Sequence, residues 1–485
     1  MRTCLQFIIA FAALILFTLP PGGVQTVLAG AGSSPDAAVV WKIQTVNGEV
    51  NAKTISVGFG GSKRHPLISY VNNYNKNVRF VIPAVSTAGD CGSGNAWKCT
   101  YIDEPARVGW TSRMAVYKFT NSFKVGWTYW DKGSGNIVLY TQEYSDDLVR
   151  LGSHTTQVLD LDIYDDAKYW DWILLEPASL VFDEYGNAHM VMVVNFGGLN
   201  KIVYAYEKTN GKPTTPCNFH ADTRYQCDVI YSTTSDTLKE ARIVLTGSNQ
   251  PRIAFFSLED DTVKYAYPQS SPLLHPNCGP GGNTWRCITI FTSMFGHLMY
   301  SNDHGYLPQF DMAIGPGEPH FVVKEYGNGK TRLSAIKFVG SGGNCGQDYA
   351  LSASKPASVK LVNRWSMTGY PVDGNFPPLY TSFDLAVDSK DYPVLAFNNG
   401  EAGPYYQLYV IYPGERDGQP PNSHIWKKVD GRDINTAYQT ALALDDRDLA
   451  LIGYIEMEDY SNNLKIAYQE RTLTYVPGAP LKRSP

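Results

Sequence analysis

"WKIQTVNG", Trp41 to Gly48, reads as a β-strand that has lost its neighbours. It opens on an aromatic residue followed by Lys, and so do "WKCTYID" at Trp97 and "WKKVDG" at Trp426. Each of those two later segments is the last of a group of four strands. Nothing before Trp41 supplies the other three. At the far end of the chain the last group stops after its third strand, "LKIAY" at Leu464, with no convincing fourth. One strand in excess at the start and one missing at the end predict that the N-terminal strand completes the last group and closes a ring. Closure removes the open junction that would otherwise expose a sheet face and edge.

The groups are copies of one unit. "PLISYV" at Pro66, "KVGWTYW" at Lys124, "AHMVMVV" at Ala188, "PRIAFFS" at Pro251, "PHFVVKE" at Pro319, "PVLAFNN" at Pro393 and "LALIGYI" at Leu449 recur at roughly sixty-residue spacing, a repeat architecture. Each is apolar, β-branched or aromatic, and of strand length. A strand and turn come before it, as in "ASLVFDEYGN", "FDLAVDSKDY" and "TALALDDRD". A third strand follows, as in "VRFVI" at Val78, "IVYAY" at Ile202 and "VKYAY" at Val263. A fourth follows in most copies, as in "YQCDVIY" at Tyr225 and "WRCITIF" at Trp285. Seven such units without helical periodicity predict an all-β fold, a seven-bladed β-propeller of four-stranded antiparallel blades.

The ends read as export and as tail. Arg2, the apolar run Leu5 to Leu19 and the small residues of Val27-Leu28-Ala29 before Gly30 predict a signal peptide over residues 1–29. The propeller is expected over 38–470. A free tail, "RTLTYVPGAPLKRSP", is expected over 471–485. The apolar run is short for a membrane span and breaks at Pro20-Pro21. The mature chain is therefore expected to be secreted, periplasmic or on the cell surface, with no membrane span. The absence of an N-x-S/T sequon fits a bacterial source. A net charge of −5 with no long basic run argues against nucleic acid as partner.

In an oxidising compartment, close cysteine pairs are disulfides before they are metal ligands. Three pairs stand out: Cys91 with Cys99, Cys217 with Cys227, and Cys278 with Cys287. Each lies between the third and fourth strands of a blade, at the periphery. Cys345 is left over. "RWSM" keeps a tryptophan, Trp365, but has Met367 where the second cysteine would stand. Cys345 thus reads as half of a lost clasp.

Two sets of connections meet on the opposite face: fourth strand to next first strand, and second to third. They include "DDAKYWDWILLEP" from Asp165, "TSMFGHLMYSNDHGYLP" from Thr292, "GYPVDGNFPPLY" from Gly369 and "YWDKGSGN" from Tyr129. Aromatic faces and planar polar groups suit sugar rings and their hydroxyls. Tyr129, Trp130, Tyr169, Trp170, Trp172, Tyr300 and Tyr380 are the stacking candidates, with packing between blades as the other role open to them. "GHLMYSNDHGY" gathers His297, Asp303, His304 and Tyr306, a set able to act as base and acid or to bind a divalent metal, without tight ligand spacing. Asp165, Asp166, Asp171, Asp303, Asp373, Asp430 and Asp433 are candidates for a hydrolytic carboxylate pair. No cofactor is expected. The acidic stretch "DLDIYDD" resembles a calcium loop but lacks the expected glycine, and the preferred reading is that Asp160 and Asp162 alternate on a solvent-facing outer strand; calcium is the divalent metal such a stretch would take.

The repeat, best seen in "PRIAFFSLEDDTVKYAY" and "ALALDDRDLALIGYIEMEDYSNNLKIAYQE", resembles the sialidase-like group of secreted propellers, which holds glycosidases, polysaccharide lyases and lectins. The resemblance implies the fold. The S-x-D-x-G-x-x-W box typical of sialidases is absent. The expectation is an exported binding module for a glycan or an extracellular protein. The alternatives are a polysaccharide lyase or glycoside hydrolase using the same face, and a structural surface platform.

Overall fold

A computed structural model of the chain contains seven antiparallel sheets arranged as the repeat requires. It describes residues 39–471 apart from connecting segments, the longest being 103–112, 161–177, 293–309, 371–381 and 414–423; residues 1–38 and 472–485 are not described.

Blade 1 comprises Ala52–Gly60, His65–Asn72, Val78–Pro83 and Trp97–Tyr101, and blade 2 Arg113–Lys118, Ser122–Asp131, Asn136–Ser145 and Arg150–Asp160. Blade 3 comprises Ser179–Phe182, Ala188–Phe196, Leu199–Glu207 and Tyr225–Thr233, and blade 4 Leu238–Leu245, Pro251–Ser257, Thr262–Pro268 and Trp285–Thr292. Blade 6 comprises Phe383–Val387, Pro393–Asn399, Gln407–Pro413 and His424–Lys428. Blade 5 departs from the four-strand plan. After Phe310–Ala313, His320–Gly327 and Lys330–Phe338, its fourth strand, Lys355–Tyr370, carries a fifth, Cys345–Ser352, on its outer side. The connection between third and fourth strands is long enough there to fold back as a hairpin.

Blade 7 is Asn435–Leu444, Ala450–Glu458 and Ser461–Arg471, with Val39–Asn47 as its outer strand. Val39–Asn47 pairs antiparallel with Ser461–Arg471, from Val39 opposite Arg471 to Asn47 opposite Leu464. Val46, Ile55, Ile68, Ala441, Leu451, Ile455 and Ile466 form one buried cluster between blades 7 and 1.

The first strand of each blade lies innermost and contacts its counterparts in neighbouring blades. The second strands are sandwiched on both faces, so they read as nearly continuous apolar runs; in Pro251–Ser257 every residue but Arg252 is buried. The small residue at the centre of the second-strand motif has a steric cause. A Cβ on Gly126 would stand 2.6 Å from the Phe182 ring of blade 3, and one on Gly453 2.6 Å from Val57 of blade 1. Equivalent positions hold Ala254 and Ala396, both fully buried.

The end that carries the turns between first and second strands is a stitched belt. Asp183, Asp388 and Asp445 each accept two backbone N–H bonds, four of the six being Tyr185 at 2.9 Å, Asn187 at 2.7 Å, Tyr392 at 2.9 Å and Leu449 at 2.9 Å. The turns need a left-handed residue, supplied by Gly186 (φ 80°), Asp391 (φ 68°) and Asp448 (φ 61°). Each turn then grips its neighbour. Ser389 N donates to Asp448 Oδ1 at 2.8 Å, Gly317 N to Asp391 Oδ1 at 3.3 Å, and Asn249 Nδ2 to Glu184 Oε1 at 2.8 Å. Arg252 faces Glu318 at 3.6 Å, Tyr117 Oη donates to the Glu184 carbonyl at 2.6 Å, and Ser62 N donates to Asp146 at 3.2 Å. Arg64 reaches Asp446 at 2.7 Å across the closing seam. All seven blade junctions are bridged.

The disulfides Cys91–Cys99, Cys217–Cys227 and Cys278–Cys287 form in the hairpins at this same end. Their aromatic companions cover seams: Trp97 joins the cluster between blades 7 and 1, Tyr225 that between blades 2 and 3, and Trp285 that between blades 3 and 4. The strand register confirms the half-clasp. Met367 pairs with Ile336 as Cys287 pairs with Ala266, and Cys345 pairs with Trp365 as Cys91 bridges Trp97. Burial raises the Cys345 thiol to about 11, so it stays protonated at neutral pH.

Candidate functional site

The connections between fourth and first strands, and between second and third, leave and re-enter the ring at the end opposite the belt, the mouth. His297, Tyr300, Asp303, His304, Tyr306, Tyr169, Trp170, Trp172 and Tyr380 all lie outside the described residues, as do Asp165, Asp166, Asp171, Asp373, Asp430 and Asp433. Trp130 stands near the mouth end of the second strand of blade 2, paired with Ile137. Tyr129 is 7% exposed and belongs to the cluster between blades 1 and 2 with Trp127, Phe80 and Val138. Packing is thus part of its role.

Beneath the mouth connections lies a group of charged residues that the sequence reading did not single out. Arg113 opens the inner strand of blade 2, Glu240 and Arg242 lie in that of blade 4, and Asp311 and Asp384 are second in those of blades 5 and 6. Inner strands run from mouth to belt, so Arg113, Asp311 and Asp384 sit where the segments 103–112, 293–309 and 371–381 enter the ring. The pattern is "FDMA" and "FDLAV": alternation puts Phe310 and Phe383 in the core and the aspartates on the channel side.

Arg242, 3% exposed, is clasped by Glu240 and lies 3.4 Å from Asp311. Arg113 approaches Asp311 from across the ring at 4.0 Å, with about a third of its side chain open to solvent. Asp311 accepts the backbone N–H of Leu385 at 2.9 Å, and Asp384 that of Leu442 at 2.6 Å. Each carboxyl therefore ties its own inner strand to that of the next blade. Asp384 is partly buried, and its Oδ2 is turned to the inner strand of blade 7. Burial holds its carboxyl well above the usual carboxylate range, and the charge and hydrogen bond of Asp311 push it the same way. Arg113 and the Leu442 N–H pull in the other direction without prevailing.

Buried polar groups gather at the same end of the outer layers. Lys324 and Glu325 lie at the mouth end of the second strand of blade 5, Asn398 at that of blade 6 and Glu456 at that of blade 7; all are buried. Glu456 pairs with Lys465, and Asn398 accepts the Ser382 N–H at 2.6 Å. Burial alone lowers Lys324 to about 7. Among the described residues the one metal-like grouping is Asp90 with Cys91 and Cys99. Its sulfurs are joined in the disulfide, and Asp90 accepts the Cys99 N–H at 2.6 Å, so it braces the clasp. No described helix is long and apolar enough to cross a membrane.

No protein-family model matches the sequence. No curated protein matches it either. Solved structures resemble the fold. AofleA from Arthrobotrys oligospora is 7% identical, with 90% of this chain and 93% of that one aligned at a TM-score of 0.39. Polysaccharide lyase Uly1 is 9% identical over 87% and 90% of the two chains at 0.41. The Trypanosoma rangeli sialidase in complex with the inhibitor DANA is 10% identical over 88% of this chain and 55% of the enzyme at 0.36.

Proposed function

We propose that the chain is an exported, non-catalytic binding module that takes a carbohydrate at the mouth of the ring. The carrying observation is the division of labour between the ends. One end is bridged at every blade junction and stapled by disulfides. The other concentrates buried hydrogen-bonding groups beneath connections rich in Tyr, Trp, Asn and Asp. A rigid scaffold presenting variable polar and aromatic loops is the usual way a propeller holds a ligand. Tyr169, Trp170, Trp172, Tyr300, Tyr380 and Trp130 are the residues proposed to supply stacking faces. Export follows from the N-terminal segment, and the three disulfides accord with it.

The Asp311–Asp384 pair does not favour hydrolysis. Hydrolytic carboxyls stand about 5 Å or more apart, with a sugar between them. These two are hydrogen-bonded to each other and committed to backbone N–H groups. Glycan-array and cell-wall pull-down binding of the purified chain tests the reading. Retention of at least one glycan class, lost in Trp170→Ala or Trp172→Ala, is expected; no retention of any sugar overturns the carbohydrate reading. Depolymerisation abolished by His304→Ala would instead support the enzymatic alternative.

A further inference from the structure

The seam between blades 6 and 7 holds more polar groups at its mouth end than its own strands satisfy. Alternation fixes which side chains face it. Ala396, Leu442, Tyr454 and Ala467 belong to the buried cluster between these two blades. Asn398, Thr440, Glu456 and Lys465 lie on the same faces of the same four strands, each two residues nearer the mouth. None of the four is more than 7% exposed.

Glu456 and Lys465 pair with each other. Ser382, just before the inner strand of blade 6, ties the other two. Its N–H donates to Asn398 Oδ1 at 2.6 Å, and its Oγ accepts the Thr440 N–H at 2.8 Å. Those bonds leave one amide donor and one hydroxyl over. Asn398 Nδ2 and Thr440 Oγ1 are both shut off from bulk water and have no hydrogen-bond partner among the described residues. A buried polar atom is costly unless something pairs with it. Ser382 directly follows the mouth segment 371–381, and Asn398 lies two residues before the segment 400–406.

We propose that Asn398 and Thr440 form the seat for one hydroxyl group of the ligand, which accepts from Asn398 Nδ2 and donates to Thr440 Oγ1. The inference rests on the carbohydrate reading and names the part of the sugar that is recognised. A neutral hydroxyl fits better than a carboxylate or a phosphate, because Lys465 is already matched by Glu456 and the four residues offer an anion no spare charge. A desolvated seat of this kind discriminates against a sugar that lacks the hydroxyl, since its own groups are then left unpaired.

Frontal affinity chromatography of the purified full chain, with the glycan it retains and the monodeoxy forms of that glycan, tests the seat. Thr440→Val keeps the side-chain shape and removes the hydroxyl. Binding weaker by at least about tenfold is expected, with a urea midpoint no lower than that of the wild type, because the group removed has no partner within the fold. Thr440→Ser, which keeps the hydroxyl, should recover most of the affinity. Asn398→Asp, which keeps the acceptor for Ser382 and removes the donor, should weaken binding as Thr440→Val does. One monodeoxy sugar should lose affinity for the wild type and lose little more in Thr440→Val. Equal binding by wild type and Thr440→Val, or a Thr440→Val chain clearly less stable than wild type, overturns the seat alone. A wild-type chain that retains no sugar overturns the carbohydrate reading and the seat with it.

Discussion

The two ends of the ring solve the same problem with different chemistry. At the belt, neighbouring blades are joined by short turns, exposed hydrogen bonds and ion pairs such as Arg64 with Asp446. At the mouth they are joined by buried carboxyls that accept backbone N–H groups, as Asp311 does from Leu385 and Asp384 from Leu442. Belt contacts are individually cheap and redundant, because each lies in water. Mouth contacts are few and desolvated, so each lost partner strands a buried polar group. The channel end therefore combines high local sensitivity with room for function.

The largest break in this contrast is expected from Arg242→Met, which removes the buried cation that clasps Glu240 and leaves Asp311 only the more distant Arg113. A loss of about 3–5 kcal/mol should appear as a lower urea midpoint at unchanged slope. Removing a belt-side staple, Cys278→Ala with Cys287→Ala, should cost about 2–4 kcal/mol in the same measurement. Asn249→Ala removes two exposed belt bonds with Glu184, one donated by Asn249 Nδ2 and one accepted by its Oδ1, and puts a less tolerant residue at φ 56°; about 1 kcal/mol is expected. The last test reads a slope. Asp384 holds a proton in the folded chain that the unfolded chain releases above its ordinary value of 3.8. Its contribution to stability is complete at low pH and lost as pH rises through the elevated folded value. Asp384→Asn should flatten that decline in pH-dependent unfolding, while Asp446→Asn at the belt should leave it in place.

The blades were legible because their determinants are local. Alternation, turn residues and the recurring P-x-I-A-F pattern each act within a few positions, and the excess strand at Trp41 announced its own partner. The turn at "FDEYGN" was visible as a turn, but its grip on Asn249 in the next blade was not, since that contact joins residues 65 positions apart. The channel cluster was hidden for the same reason. Arg113, Arg242, Asp311 and Asp384 come from four blades, and only ring closure brings them together. "FDMA" and "FDLAV" carried the one available signal: an acidic residue alternating into an otherwise apolar inner strand. The added strand of blade 5 is hidden in the sequence because Lys355–Tyr370 runs as one continuous strand from its pairing with Cys345–Ser352 into its pairing with Lys330–Phe338.

Val39 and Arg471 are paired across almost the whole described length of the chain, whereas the cysteines of each disulfide lie 8–10 positions apart. The two kinds of fastening therefore belong to different stages of assembly. A clasp can form as soon as its own hairpin has formed. The last blade cannot be finished until the C-terminal strands arrive to meet a strand made first, so ring closure is the slow, high-contact-order step. Until then the N-terminal strand waits unpaired, and the chain that waits is held in partial order by its staples.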